Sequence, residues 1–203
     1  MKIIDSPGNA RSRRTRQALL SASRDILEEG GFPALTMAAI AERAGVTRRG
    51  AYLHFTSRSA VVEELFAHIA HTEGLAESVA RVWEASDAVA ALREWARHVA
   101  RYHVKVLAVD RAVQHVHRHD PDAAAHRDRA RKAKLGNCRR LTQWLADEGR
   151  LTPAWTVNTA ADMLNALTTS DLVESLLVDR AWSRRGFADH FGNLLVSTFT
   201  TGD

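Results

Sequence analysis

The stretch Ala44–Phe55, AGVTRRGAYLHF, sets two adjacent arginines and a glycine where the flanking pattern asks for a helix to begin. Cations are disfavoured at a helix N-terminus, where the macrodipole is positive, by ~0.3–1 kcal/mol each. Glycine inside a helix costs about 1 kcal/mol more than alanine. Local rules broken together mark a place where function outweighs stability.

The residues around this stretch say which function. Upstream, Thr36 is an N-cap for a short helix whose apolar face is Met37, Ile40, Ala41 and Ala44. No Glu or Gln follows three residues later, so the cap lacks a capping box. Gly45 supplies a tight turn, Val46 its buried plug, and Thr47 the next N-cap. Two short helices joined by a glycine-containing turn predict a helix-turn-helix. In that motif the second helix enters the DNA major groove with its N-terminal residues on base edges. Arg48 and Arg49 would then sit where phosphates and bases supply the missing negative charge. Gly50 would remove a side chain where backbone and DNA approach closely.

Charge placement agrees with that reading. Residues 1–60 hold ten Lys/Arg against five Asp/Glu, a net of +5, while the whole chain is +4. Residues 61–203 therefore carry −1. A basic module on a near-neutral body points to an acidic partner for the module, with nucleic acid first in line.

Over 203 residues the remaining pattern is helical throughout. Apolar residues recur at three and four, and the prolines sit at punctuation points. The spacing predicts helices near 12–29, 37–44, 48–54, 58–73, 75–85, 88–109, 111–118, 122–147, 154–178 and 184–200. Asp120-Pro121 and Thr152-Pro153 read as helix starts. The single cysteine, Cys138, excludes an internal disulfide and suits a reducing cytoplasm. The leading residues carry no secretion pattern, and no uncharged apolar run approaches about 18 residues, so no membrane span is expected.

The ordered set from Arg14 to Phe66 resembles the N-terminal domain of the tetracycline-repressor (TetR) family of transcriptional regulators. It comprises Ile26-Leu27 before Gly30-Gly31-Phe32, Leu35-Thr36-Met37, Ile40-Ala41, Ala44-Gly45-Val46-Thr47, Tyr52, His54-Phe55 and Ser57-Arg58. The resemblance covers residues 13–70. Beyond residue 75 it is architectural, with Trp182-Ser183, Phe187, Phe191 and Leu194-Leu195 resembling the family's last helix.

The resemblance implies an all-α chain. A three-helix DNA-binding domain at 12–58, with its motif at 36–55, would precede a helical-bundle effector-binding and dimerisation domain at 59–203. It implies a homodimer that grips a palindromic double-stranded DNA operator and is released by a small-molecule effector. Thr36, Thr47, Tyr52 and His54 would contact phosphates, and Arg48, Arg49 and Gly50 bases or phosphates. The chain departs from the family where Arg49, Gly50 and Ala51 replace the usual glycine, small residue and aliphatic.

Further stripes suggest the rest. Trp95, Val99 and Tyr102 share one face, with His98 and His103 at its edges and Cys138, Thr142 and Met163 opposite, an expected effector pocket. Leu164, Leu172 and Leu176, with Phe187, Ala188, Phe191, Gly192 and Val196, are the expected dimer interface. Arg11, Arg13, Arg14 and Arg16 read either as a minor-groove arm or as a basic tail. His115 and His119, with Asp120 or His126, would be needed for a metal-responsive alternative. A DNA-associated protein without an effector is the other alternative. No phosphate loop, GxSxG, HExxH or cysteine pair occurs, so neither an enzyme nor a cofactor is expected.

Overall fold

The computed structural model describes the backbone of residues 7–116 and 121–201, with side chains from residue 10 except at 112, 113, 115, 116, 121–123, 125 and 126. Among the described residues the chain is helical, apart from turns and one antiparallel bridge between Leu151 and Thr200. The helices are α1 Pro7–Ala34, α2 Met37–Arg43, α3 Arg48–His54, α4 Arg58–Thr72, α5 Leu75–Trp83 and α6 Ala88–His98. They continue with α7 Val104–Val116, α8 Pro121–Asp147, α9 Val157–Leu167, α10 Ser170–Glu174 and α11 Arg184–Phe199. Two π-helical turns, Val99–His103 and Ser175–Asp179, continue α6 and α10.

The chain forms two compact units, residues 1–69 with 108–126 and residues 70–107 with 127–203. The first unit reaches past the boundary expected at 58, because α4 continues it with a buried face of Val61, Val62, Leu65 and Ile69. Its core also takes Leu19, Leu20, Ala22, Ile26 and Leu27 of α1, Met37, Ile40 and Ala41 of α2, and Ala51 of α3. α1 outruns its expected end. Gly31 turns the chain with φ 65°, and one more turn reaches Ala34.

In the second unit, Trp95, Leu92 and Val99 pack with Leu141 and Leu145 of α8, Leu164 of α9, and Phe187, Leu195 and Phe199 of α11. α11 lies close on α6: a Cβ placed on Gly192 would stand 3.6 Å from Ala96 Cβ and 3.7 Å from Arg93 Cα. This corrects the expected dimer stripe. Phe187, Ala188, Phe191, Gly192 and Leu164 are buried within their own chain, and Leu172, Leu176 and Val196 pack half-buried on the same core. The small residues admit α6, and of this stripe only Leu172, Leu176 and Val196 keep part of their surface open.

Other boundaries moved for identifiable reasons. The break expected near residue 110 is absent: no glycine or proline stops the helix there, and Gln114 Nε2 donates to Asp110 Oδ2 at 2.8 Å along it. Thr152-Pro153 does not start α9. Thr152 N donates to Phe199 O at 3.0 Å, tying that segment beside the end of α11. Thr156 caps α9 instead, in a reciprocal box with Thr159. The expected helix 154–178 is cut at Thr168, whose hydroxyl donates to the carbonyls of Leu164 and Asn165 at 3.0 and 3.2 Å. Thr169 then caps α10.

Ala181, between the second π turn and α11, has φ 52°, a left-handed conformation that costs an L-residue about 1–2 kcal/mol. Glycine regains part of that cost through its greater unfolded freedom. We predict that Ala181→Gly raises stability by up to ~1 kcal/mol, read as a higher urea midpoint at unchanged m-value. A lower midpoint would show that contacts of the Ala181 methyl outweigh the strain.

Candidate nucleic-acid interface

α2 and α3 are held by their ends. Thr36 Oγ1 accepts from Ala39 N at 3.1 Å, and Thr47 Oγ1 accepts from Gly50 N at 3.0 Å. Between them Gly45 takes φ 67°, and Val46 N donates to Ala41 O at 2.9 Å, which folds the turn back on α2. Val46 is half-buried rather than fully enclosed. Each capping hydroxyl that accepts a backbone bond keeps its own proton to donate, as a phosphate oxygen requires.

Arg16 secures the far end of α3, and the sequence reading missed this. Its guanidinium donates to His54 O at 3.0 Å, lies 4.4 Å from the Phe55 ring centroid and pairs with Glu64 at 3.3 Å. One α1 side chain thus ties α3 to α4. It satisfies a carbonyl left open at the helix end and is no member of a flexible arm. Arg11, Arg13 and Arg14 are exposed on α1, which begins at Pro7, so neither an arm nor a loose tail describes them. Only a contact between residues 38 apart reveals the role of Arg16, and no sequence spacing carries that.

Arg43 forms a fork on Glu29, with bonds of 2.9 and 2.7 Å, fixing the end of α2 to α1. This hydrogen-bonded pairing holds the Glu29 carboxyl below its ordinary pKa.

With both ends fixed, α3 presents Arg48, Arg49, Tyr52 and Leu53 to solvent, while Ala51 is fully buried. Thr36 and Thr47 are also exposed, and Gly50 and His54 are half-buried. The Arg48 guanidinium stands 5.8 Å from the Tyr52 ring centroid. A Cβ on Gly50 would meet Thr47 Oγ1 at 3.2 Å, so this glycine has a local reason to be small. A short capped helix behind a glycine turn, cationic on its open face, defines a helix-turn-helix DNA-binding module.

The comparisons with known proteins agree. Residues 19–65 match the family model described as bacterial regulatory proteins, tetR family. Over 59 residues the chain is 41% identical to the uncharacterized HTH-type transcriptional regulator YdeS of Bacillus subtilis, a match covering 29% of this chain and 30% of that protein. Its fold is similar to that of NalD, the secondary repressor of the MexAB-OprM multidrug efflux pump in Pseudomonas aeruginosa. That likeness has TM-score 0.75 at 20% identity and covers 96% of this chain and 100% of NalD. It is also similar to a regulator from Saccharomonospora viridis in complex with choline, with TM-score 0.74 at 15% identity over 94% and 100% of the two chains. Residues 19–65 thus match the DNA-binding domain of the tetR family, and the fold of the chain is similar to that of solved TetR-family regulators.

The expected effector residues divide three ways. Trp95, Val99, Cys138 and Thr142 lie in the core of the second unit, where the single Thr142 hydroxyl proton has the Val157 carbonyl at 3.0 Å and those of Cys138 and Arg139 at 3.2 Å as acceptors. His98, Tyr102 and His103 gather at the first π turn. His98 stacks on Tyr102 at 5.8 Å, tilts on Trp95 at 5.1 Å and meets His103 edge-on at 5.9 Å. Met163 stands apart, exposed on α9 where Ala160, Ala161 and Leu164 take the buried face, so it leaves the expected set.

This ring cluster is neutral. Burial, reinforced by Arg101, pushes His98 down to about 4, and burial pushes His103 down to about 3 although part of its surface stays accessible. Burial likewise pushes Tyr102 and the Cys138 thiol up to about 12. His98 Nδ1 bonds Ser78 Oγ at 2.9 Å, and Trp95 Nε1 is buried with no hydrogen-bond partner. Of the metal candidates, His119 and Asp120 lie outside the described residues, as do the side chains of His115 and His126. Among the described residues no group of three potential ligands occurs.

A histidine held neutral in the fold and free to protonate when unfolded makes stability fall with pH. His98 contributes fully above its ordinary value of 6.5, and the contribution is lost progressively from there to about 4. We predict that His98 supplies a loss on the order of 2–3 kcal/mol across that window, beside the loss from His103, whose pKa is depressed as well, measured by urea denaturation. His98→Asn should flatten the slope, and an unchanged slope would show that His98 is not the titrating group.

Proposed function

We propose that this chain is a homodimeric repressor that binds a palindromic operator through α3 and is released by a small-molecule effector. In this reading residues 12–58 bind DNA and 59–203 bind the effector and the second copy, with Thr36, Thr47, Tyr52 and His54 on phosphates. The observation that carries it is the open face of α3, with Arg48 and Arg49 on a helix whose two ends are fixed by other residues. Repression rather than activation is supported by the likeness to NalD, itself a repressor.

For the effector, support comes from the neutral rings of His98, Tyr102 and His103 beside the partnerless Trp95 Nε1. Such a site suits an uncharged, partly aromatic molecule carrying one hydrogen-bond acceptor. For the dimer, support comes from side chains the core leaves out. Met163 of α9, Val178 of the second π turn, Trp182, and Leu194 of α11 are 40–52% exposed. Large apolar groups left in water suit a second copy.

Two experiments test these parts. In the first, Arg49→Ala is titrated against the selected operator and each half-site variant at two salt concentrations. We expect a loss of ~1–3 kcal/mol confined to one base pair, as for an arginine bonded to guanine O6 and N7. Uniform weakening with a salt slope lower by about one would assign Arg49 to a phosphate. In the second, Leu194→Glu is expected to give folded monomers in sedimentation at micromolar concentration, and a persistent dimer would reject this patch. Gly192→Glu is expected to unfold the chain, since it forces a carboxylate between α6 and α11.

A further inference from the structure

Leu53 is 81% exposed on α3, beside Arg49 one helical turn earlier. The other large apolar side chains left in solvent among the described residues are 40–52% exposed. Nothing in the folding of the module requires an aliphatic group there: Ala51 and Phe55 supply the buried contacts, and the caps at Thr47 and His54 are made by other atoms.

The chain contains its own comparison. α11 opens with Ser183-Arg184-Arg185-Gly186 as α3 opens with Thr47-Arg48-Arg49-Gly50, and in both the cap hydroxyl accepts from the glycine N–H. In α11 the residue four after the second arginine is Asp189, which pairs with Arg185 at 3.8 Å. An acid there offsets the cationic helix start and suits a solvated surface. At the equivalent place α3 has leucine. A face that meets water gains from the acid, whereas a face that meets a polyanion loses by it and gains from an apolar group only where an apolar group awaits.

In the major groove the apolar group on a base edge is the thymine C5-methyl. We propose that Leu53 is a specificity-determining residue that reads one thymine methyl in each half-site, next to the base pair contacted by Arg49. This rests on the DNA-binding reading of α3. Shielding one methyl from water is worth about fourfold in a binding constant.

The test begins with selection of duplexes from a random-sequence pool by the full chain. Each thymine of the selected site is then replaced by deoxyuridine, which removes the methyl and leaves the hydrogen-bonding edge unchanged. We expect one thymine per half-site whose replacement weakens wild-type binding about fourfold. Leu53→Ala should bind the thymine and uridine duplexes alike, and selection with that variant should lose the thymine at that position. The replacement is at an exposed position, and thermal unfolding of the variant checks that its fold is kept. Indifference of the wild type to every uridine would overturn the proposal while leaving DNA binding intact, as would a uridine penalty that persists in Leu53→Ala. Failure of the wild type to enrich any duplex would overturn the DNA-binding reading and this inference with it.

Discussion

A seven-residue helix does not persist by itself in water, because nucleation outweighs the few bonds it can form. α3 is such a helix, and its position depends on what grips its ends. Thr47 fixes the start through the Gly50 N–H, and Arg16 fixes the finish through the His54 carbonyl and the Phe55 ring. Arg16 also holds Glu64 of α4, so a single guanidinium gathers three helices. Because Ala51 is the only α3 residue fully enclosed, α3 contributes little apolar burial of its own and leaves the remaining face for recognition. The same economy explains the fork from Arg43 to Glu29, which fixes α2 from outside the core.

What could be read from the sequence was what is local. Both caps, the left-handed glycine and the apolar face of α2 follow from residues within a few positions of each other. The structure has Thr36, Thr47 and Gly45 in those roles. The helical class was legible for the same reason, since a period of three to four is a property of one segment. Arg16 was not legible, because a cation on α1 reads the same whether it faces water, DNA or a carbonyl 38 residues away. Threonine was ambiguous in a different way: Thr168 and Thr169 sit mid-stripe in a continuous apolar pattern, yet their hydroxyls end one helix and begin the next.

The second unit shows the limit of stripes. A run such as Phe187, Ala188, Phe191 and Gly192 says that a face is covered but not by what. The small residues that would admit a second copy admit α6 equally well, and α6 takes them. The large apolar residues this unit leaves exposed, Met163, Val178, Trp182 and Leu194, form no helical repeat, because they come from two helices, a π turn and a strained connection. The ring cluster has a similar origin. The π turn Val99–His103 changes the angular step, so His103 meets His98 five positions before it although a regular helix would set the two on different faces, while Tyr102, four positions from His98, is its neighbour in either case.

The arginine pair with its glycine is the sharpest case, because the same pattern opens α3 and α11. Gly50 and Gly186 each lie beneath a capping hydroxyl, 3.2 and 3.1 Å from where a Cβ would stand, and a cap explains both without DNA. The glycine therefore drops out of the functional argument, and the two arginines remain. In α11 their unfavourable place is offset by Asp189, while in α3 no acid follows and the Arg48 guanidinium has only the Tyr52 ring at 5.8 Å. The violation that points outward is the pair of arginines left without a carboxylate in their own helix. Four residues cannot carry that distinction. It appears one turn later, where one helix places an aspartate and the other a leucine.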